Sequence, residues 1–206
     1  MRKTLVATSV ATLCLAAFSS FSQGAELCEL KGPNYLQDAD FALEAADKRS
    51  KHWAGIQHAG ERSFDAQIDD GVLTISRIAT QPWYLFRQRI PPGDLGGELM
   101  AFTAELKLDL TPPQTMFSFF SKSGGGMQLI VRSRNGSSLE AIFPHEPHMG
   151  SSDWFTAQAV VQVPRDVAVI EASFRHEADG SFQVRNASFR KVKDDCEPNV
   201  GVPEAP

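Results

Sequence analysis

Alternating side-chain character along one stretch of this chain limits what the chain can fold into. From Met100 to Leu110, apolar residues occupy every second position, and Thr, Glu, Lys and Asp occupy most of the positions between them. Because successive side chains of a β-strand point to opposite faces, this pattern predicts a strand with one buried face and one wet face. The apolar spacing of three and four residues that a helix needs is missing here.

The same period of two recurs along most of the chain, between turns rich in Gly, Pro and Asp. The further segments are 72–77, 83–90, 116–121, 127–132, 138–143, 155–163, 167–175 and 182–192. Short strands separated in this way are typical of an antiparallel β-sandwich or barrel, so the predicted fold class is all-β. Residues 41–50 are the best helical candidate, but they fit a strand that runs into a loop equally well.

The first residues have the pattern of an export signal. Arg2 and Lys3 precede an apolar run that extends to about Phe21, and small or polar residues follow. We expect residues 1–24 to be removed as a signal peptide, because cleavage after Gly24 leaves Ser22 at the third position before the cut. The apolar run is short for a bilayer span and is diluted by Ser and Thr. A secreted or periplasmic protein without a membrane span is therefore expected.

The remaining chain is predicted to be one domain with a short tail. Residues 25–196 are enough for a single hydrophobic core, and the Pro-rich residues 197–206 are expected to be disordered. The whole chain has 20 Lys and Arg against 25 Asp and Glu, and loss of Arg2 and Lys3 makes it more acidic. Such a charge does not suit a nucleic-acid partner, which needs a basic stripe.

Two cysteines remain after signal removal, and they lie near the two ends of the domain. Cysteine pairs in an oxidising compartment most often form disulfides, so we predict a bond between Cys28 and Cys196. The alternative is two free or intermolecular thiols. A bond would require the two ends of the domain to lie side by side.

Two stretches of the sequence resemble a known family. The first runs from Trp83 through the 91–98 turn to Leu110, and the second runs from Ser152-Asp-Trp154 through Val161-Gln-Val-Pro164 to Gly180 and a closing strand. Together they resemble the jelly-roll carbohydrate-binding modules over residues 34–193. The resemblance implies an antiparallel β-sandwich of jelly-roll type, galactose-binding-domain-like, that binds a glycan.

The resemblance also bears on cofactors. Many of these modules hold a structural calcium with the help of an Asp in the closing strand, and Asn186 stands at that position here. The calcium is therefore in doubt, and no cofactor is predicted. The cluster His145-Glu-Pro-His148 has zinc or copper ligands, but its spacing is that of a surface loop, so no metal site is predicted.

The predicted strand 83–90 carries the candidate ligand-binding residues. Tyr84 and Gln88 fall on one face of this strand, and Trp83, Arg87 and Arg89 fall on the other. Glycan binding needs flat aromatic surfaces for sugar rings and polar groups for hydroxyls, and these five residues supply both. The alternative is that Trp83 plugs the end of the sandwich and the arginines are only solvated.

Other aromatic residues are assigned to packing. Trp53 and Trp154 stand at strand entrances, where we expect them to cap the core, and the Phe-rich run 116–121 is also expected to pack inside.

Three functional hypotheses follow from the sequence. The leading one is a non-catalytic extracytoplasmic binding module for a glycan or a similar ligand. The second is an envelope structural domain or a protein-interaction domain, with a protein as its partner. The third is a polysaccharide lyase or hydrolase built on a jelly-roll, which would need titratable groups converging in one cleft. The fold by itself does not choose between these functions.

Overall fold

In the computed structural model of this protein, the described residues are 27–42, 52–114, 123–135, 138–142 and 148–199, with the backbone alone for 138–142. They form eleven β-strands. These are β1 (Leu30–Lys31), β2 (Ala54–Gln57), β3 (Phe64–Asp69), β4 (Val72–Arg77), β5 (Tyr84–Ile90), β6 (Leu99–Thr111), β7 (Gly125–Ser133), β8 (Ser138–Ile142), β9 (Gly150–Gln162), β10 (Val167–His176) and β11 (Asp179–Val192). In this part of the chain, no helix is long and apolar enough to cross a membrane.

The strands form two antiparallel sheets. The six-stranded sheet has the order β3-β4-β11-β6-β9, with β1 paired to β11, and the five-stranded sheet has the order β2-β5-β10-β7-β8. Apart from the sequential pairs β3–β4 and β7–β8, neighbours in each sheet are distant in sequence, because the chain crosses between the sheets. The predicted all-β jelly-roll sandwich is confirmed.

Aromatic residues fill the space between the sheets. Phe174 on β10 contacts Phe102 on β6, with 5.4 Å between the ring centroids, so these two rings join the sheets across the core. Trp53 stacks on Phe86 at 5.7 Å and also packs on Phe174. Trp53 is only 4% exposed and lies in the core.

The strand boundaries follow the predicted segments with some differences. Strands β1 and β2 were not predicted. Neither was β3, although Phe64, Ala66 and Ile68 alternate along it. It joins β4 through Asp70 and Gly71, whose positive φ angles of 46° and 73° suit a tight hairpin turn. The predicted segment 116–121 and most of the helical candidate 41–50 lie outside the described residues.

The expectation that Trp154 caps the core is wrong. Phe155 pairs with Leu106 and Ser152 with Leu108, so Asp153 and Trp154 together oppose the single residue between them. Such a bulge leaves an extra residue out of the ladder. The Trp154 ring lies on the outer face of the six-stranded sheet, with the Arg185 guanidinium carbon 4.1 Å from the ring centroid.

Asn186 lies at a second bulge, in the closing strand β11. The pairing with β6 shifts between Arg185 and Ser188, and Asn186 has a φ of 53°, which Asn adopts more readily than most residues. Its side-chain Nδ2 donates a hydrogen bond to Glu105 Oε1 at 2.8 Å. Asn186 therefore shapes the bulge and ties it to β6.

The two ends of the domain meet on the outer face of the six-stranded sheet. Cys28 and Cys196 form the predicted disulfide, with their Cα atoms 5.9 Å apart. They pack against a small apolar cluster that includes Val160 and Val192. Asn199, in the segment expected to be disordered, accepts a hydrogen bond from the Val160 amide at 2.6 Å. The rest of that segment, 200–206, lies outside the described residues.

Candidate ligand-binding face

Strand β5 divides its side chains between the core and the outer surface of the five-stranded sheet. Tyr84, Phe86, Gln88 and Ile90 are buried, whereas Arg87 is half-buried and Arg89 is exposed. On the neighbouring strand β10, Glu171 pairs with Arg89 and Ser173 pairs with Arg87. Residues paired in this register share a face of the sheet. We call this surface the β5–β10 face and define it by Trp83, Arg87, Arg89, Gln128, Glu171 and Ser173.

Glu171 holds both arginines of the β5–β10 face. Its Oε2 accepts a hydrogen bond from Arg87 Nη1 at 2.9 Å and another from Arg89 Nε at 3.3 Å. The side chain of Arg87 is 29% exposed and that of Arg89 is 72% exposed, against 7% for Glu171. The interpretation of both arginines as simply solvated is thus incomplete, because Arg87 is held in place from the next strand.

Polar side chains continue from Arg87 across the sheet. Ser173 donates its hydroxyl hydrogen to the backbone oxygen of Gln128 on β7 at 3.1 Å, and the two residues pair in register. The side chain of Gln128 is buried, and its Oε1 has no hydrogen-bond partner among the described residues. Buried polar atoms are nearly always paired, so this oxygen stands out as an unused acceptor.

Trp83 lies at one end of the β5–β10 face, just before β5. Its indole is partly exposed and meets the His58 ring edge to face, with 6.2 Å between the ring centroids. Arg87 follows four residues later, about 13 Å along an extended strand. A partly exposed indole and the guanidinium groups of Arg87 and Arg89 therefore lie within the length of a short oligosaccharide, whereas the other polar side chains of the face are buried: Gln128, Glu171 and Ser173.

Tyr84 and Gln88 lie on the opposite side of β5. Gln88 is 4% exposed, and both ends of its amide bond to the backbone of Gln37. The Tyr84 ring stacks on Phe64, with 5.5 Å between the ring centroids, and burial raises the pKa of its hydroxyl to about 12. The structure thus places Arg87 and Arg89 on the opposite side of β5 from Tyr84 and Gln88.

The described ranges contain no group of three or more His, Cys, Asp and Glu side chains that could hold a metal ion. His148 packs edge-on against Phe155, with ring centroids 4.9 Å apart, and burial lowers the pKa of its imidazole. The other histidine of the predicted cluster, His145, lies outside the described residues.

No protein-family model matches this chain, and no curated protein sequence matches it. Among solved structures, it is similar to the enzymatically active domain of tailspike protein 4 of bacteriophage CBA120, with 12% identity over 77% of this chain and a TM-score of 0.54. This chain spans only 21% of the length of that solved chain. It is also similar to a CBM4 module, with 14% identity over 76% of this chain and 99% of that one, and a TM-score of 0.50.

At these identities the similarity shows the fold alone. The class that the fold defines is the jelly-roll sandwich of carbohydrate-binding modules, as the sequence resemblance predicted. What this chain binds has to be argued from its own residues.

Proposed function

We propose that this protein is a non-catalytic, extracytoplasmic glycan-binding module and that the glycan binds on the β5–β10 face. The observation that carries the proposal is that a partly exposed indole, Trp83, shares one sheet surface with Arg87 and Arg89, which Glu171 holds in place. The similarity in fold to a CBM4 module supports the same conclusion.

The chemistry of this face suits a sugar. The apolar C–H side of a sugar ring packs on an indole, while guanidinium and amide groups bond to hydroxyls. The contact with Glu171 reduces the side-chain freedom that Arg87 would lose on binding, and a smaller entropy loss favours affinity.

The extracytoplasmic location is supported by the disulfide between Cys28 and Cys196, since such bonds persist mainly in oxidising compartments. The signal-peptide pattern of residues 1–24 agrees with it. Cell fractionation followed by N-terminal sequencing tests this part of the proposal. We expect an exported protein that begins at Ala25, and a cytoplasmic protein that keeps its first residues would contradict it.

The binding site is tested by titration calorimetry and affinity electrophoresis against a panel of neutral and acidic polysaccharides. For any glycan that binds, Trp83→Ala should weaken affinity by at least about tenfold, the usual effect of removing a central aromatic contact. The matched control is Trp154→Ala, because that indole lies on the outer face of the other sheet. The Trp154→Ala variant should bind the glycan as tightly as the wild type does.

Three results would count against the proposal. If no glycan binds, a glycan-binding function is wrong. If Trp154→Ala weakens binding and Trp83→Ala does not, the glycan binds to the six-stranded sheet. If the wild-type protein releases soluble sugars from a polysaccharide, the protein is an enzyme.

A further inference from the structure

A pocket lies at one end of the sandwich, where β5, β7 and β9 end and β6 and β10 begin. Its volume is about 480 Å³, within the range that small-molecule sites occupy, and its lining is mostly polar. The first two residues of β10 form part of its wall. We call it the end pocket and define it by the residues that line it from the β5–β6 turn, from the position after β7 and from the β9–β10 turn: Pro92, Gly93, Asp94, Gly96, Arg134 and Arg165.

Backbone contacts hold together the three segments that form the end pocket. The Gly97 amide donates a hydrogen bond to the Val163 carbonyl oxygen at 2.9 Å, and the Arg134 amide donates to the carbonyl oxygen of the residue after Arg165, also at 2.9 Å. A Cβ at Gly96 would lie only 2.6 Å from the Arg165 carbonyl oxygen, so this close approach requires a glycine. The backbones that carry the two arginines are therefore fixed relative to each other.

The two arginines of the end pocket have no protein partner in the part of the chain that the structure describes. Arg134 and Arg165 are both exposed, and neither guanidinium forms an ion pair or a hydrogen bond with another described residue. Asp94 also lines the pocket, and among the described residues it forms no ion pair with either arginine. Both guanidinium groups therefore have donors available to a ligand.

The end pocket continues the charge of the β5–β10 face. Arg89 is the last outward-facing residue of β5, and the pocket begins three residues later, at Pro92. Arg132 is exposed on the outer face of β7, two residues before Arg134. Arginines thus lead from the face to the pocket in a chain whose net charge is −5. Such a local concentration of positive charge attracts an anionic ligand.

We propose that the glycan bound by this protein is acidic, and that Arg134 and Arg165 bind one of its anionic groups, a carboxylate or a sulfate ester, in the end pocket. This inference rests on the proposed glycan-binding function and names the class of glycan. Hydrogen bonds from a guanidinium to an anionic oxygen are about twice as strong as bonds between neutral groups. A compact pocket at the end of a sheet suits a glycan, whereas a nucleic acid needs a long basic stripe.

Matched pairs of polysaccharides test this inference by titration calorimetry. Polygalacturonate and alginate are each compared with their methyl-esterified forms, which lack the carboxylate charge, and dextran sulfate is compared with dextran. We expect at least one anionic member to bind about tenfold more tightly than its neutral partner, the effect of a charge-assisted hydrogen bond. The preference should shrink as the salt concentration rises. The pair that shows it distinguishes a carboxylate from a sulfate.

Four variants make the test specific to the end pocket. Arg134→Ala and Arg165→Ala should each weaken the binding of the anionic member by about tenfold and leave the neutral member unchanged. Asp94→Asn should strengthen the binding of the anionic member, because it removes a negative charge from the pocket. Arg62→Ala is the matched control, since it removes an exposed arginine near Tyr84, at the opposite end of β5. Thermal unfolding checks that each variant folds.

The inference is overturned, and the proposed function stands, if glycans bind but no anionic member is preferred over its neutral partner. It is also overturned if Arg62→Ala reduces the preference as much as Arg134→Ala and Arg165→Ala do, because the attraction would then depend on net charge alone. If a single-stranded DNA oligonucleotide binds as tightly as the preferred glycan and loses its affinity in the same two variants, the assignment to a glycan is wrong. Binding of no glycan at all would refute the proposed function itself.

Discussion

The side-chain amide of Gln88 bonds at both ends to the backbone of Gln37. Its Oε1 accepts from the Gln37 amide at 2.7 Å, and its Nε2 donates to the Gln37 carbonyl oxygen at 2.8 Å. The buried side chain of Gln88 therefore makes the two backbone hydrogen bonds that a neighbouring strand would otherwise make with Gln37. Gln37 lies in an irregular segment near the start of the domain. The Asn34 side chain anchors the same segment, because its Oδ1 accepts from the Phe189 amide at 2.9 Å.

Replacing Gln88 should cost stability. We expect Gln88→Met to lower the free energy of unfolding by about 2–4 kcal/mol, because two partly buried backbone groups of Gln37 lose their partners. Urea unfolding measures the change. Gln67→Met is the matched control, since Gln67 is exposed on the edge strand β3 and should give a change close to zero. Equal effects of the two substitutions would show that the bonds to Gln37 contribute nothing.

Glu171 should matter for both stability and binding. Glu171→Gln keeps the shape of the side chain but removes the charge that Arg87 and Arg89 share, so we expect unfolding to become easier by about 1–3 kcal/mol. Any glycan affinity should fall as well, because Arg87 is no longer held. Asp194→Asn is the control, since its ion pair with Lys31 is highly exposed and should not affect unfolding measurably.

Stability should depend on pH through His176. Its ring lies between Phe64 and Phe182, and burial lowers the pKa of the imidazole to about 4 from an ordinary value of 6.5. Between these two pH values the unfolded chain binds a proton that the folded protein excludes. The free energy of unfolding should therefore fall as the pH falls from 6.5 to 4, by a total of about 3 kcal/mol.

Urea unfolding of the wild type and of His176→Phe between pH 4 and pH 8 checks this dependence. The variant loses two hydrogen bonds of the ring and should be less stable at neutral pH, but the slope that His176 causes should be absent. Burial raises the pKa of Glu177, and this acts in the opposite direction at low pH. The comparison of the two proteins cancels that contribution, so identical slopes would refute the assignment to His176.

The disulfide should stabilise the fold strongly, because it joins residues separated by 168 positions. The double variant Cys28→Ala/Cys196→Ala should lose about 2–5 kcal/mol, near the chain-entropy expectation for so long a loop. Dithiothreitol should lower the stability of the wild type toward that of the variant and leave the variant unchanged. If the disulfide of the wild type is fully reduced and its stability does not change, this prediction is wrong.

Much of the fold could be predicted because the strand signal is local. The alternation along β5 and β6 correctly indicated which side chains face the core, and the two surviving cysteines indicated that the domain ends meet. Strand β3 was missed although the same alternation is present, since a run of six residues with three polar positions gives a weak signal. Trp154 was misplaced because it was assigned from its position at a strand entrance, whereas alternation from Phe155, which packs against the core, places the preceding side chain on the outer face.

The candidate site could be predicted only on one strand. The separation of Arg87 and Arg89 from Tyr84 and Gln88 follows from positions within β5. Their partners do not, because Glu171 and Gln128 come from strands whose pairing partners are set by the whole sheet. The sequence shows that a strand carries a carboxylate, but it does not show which arginine side chain that carboxylate will bond to.

The sequence by itself therefore determined the period of most strands, the buried faces of β5 and β6 and the pair of cysteines, since these depend on backbone geometry and composition. Only the tertiary structure decided the order of the strands, the contact of Glu171 with two arginines and the two hydrogen bonds of Gln88 to Gln37. These features join residues that are far apart in the chain, and they exist only once two sheets have packed in one register.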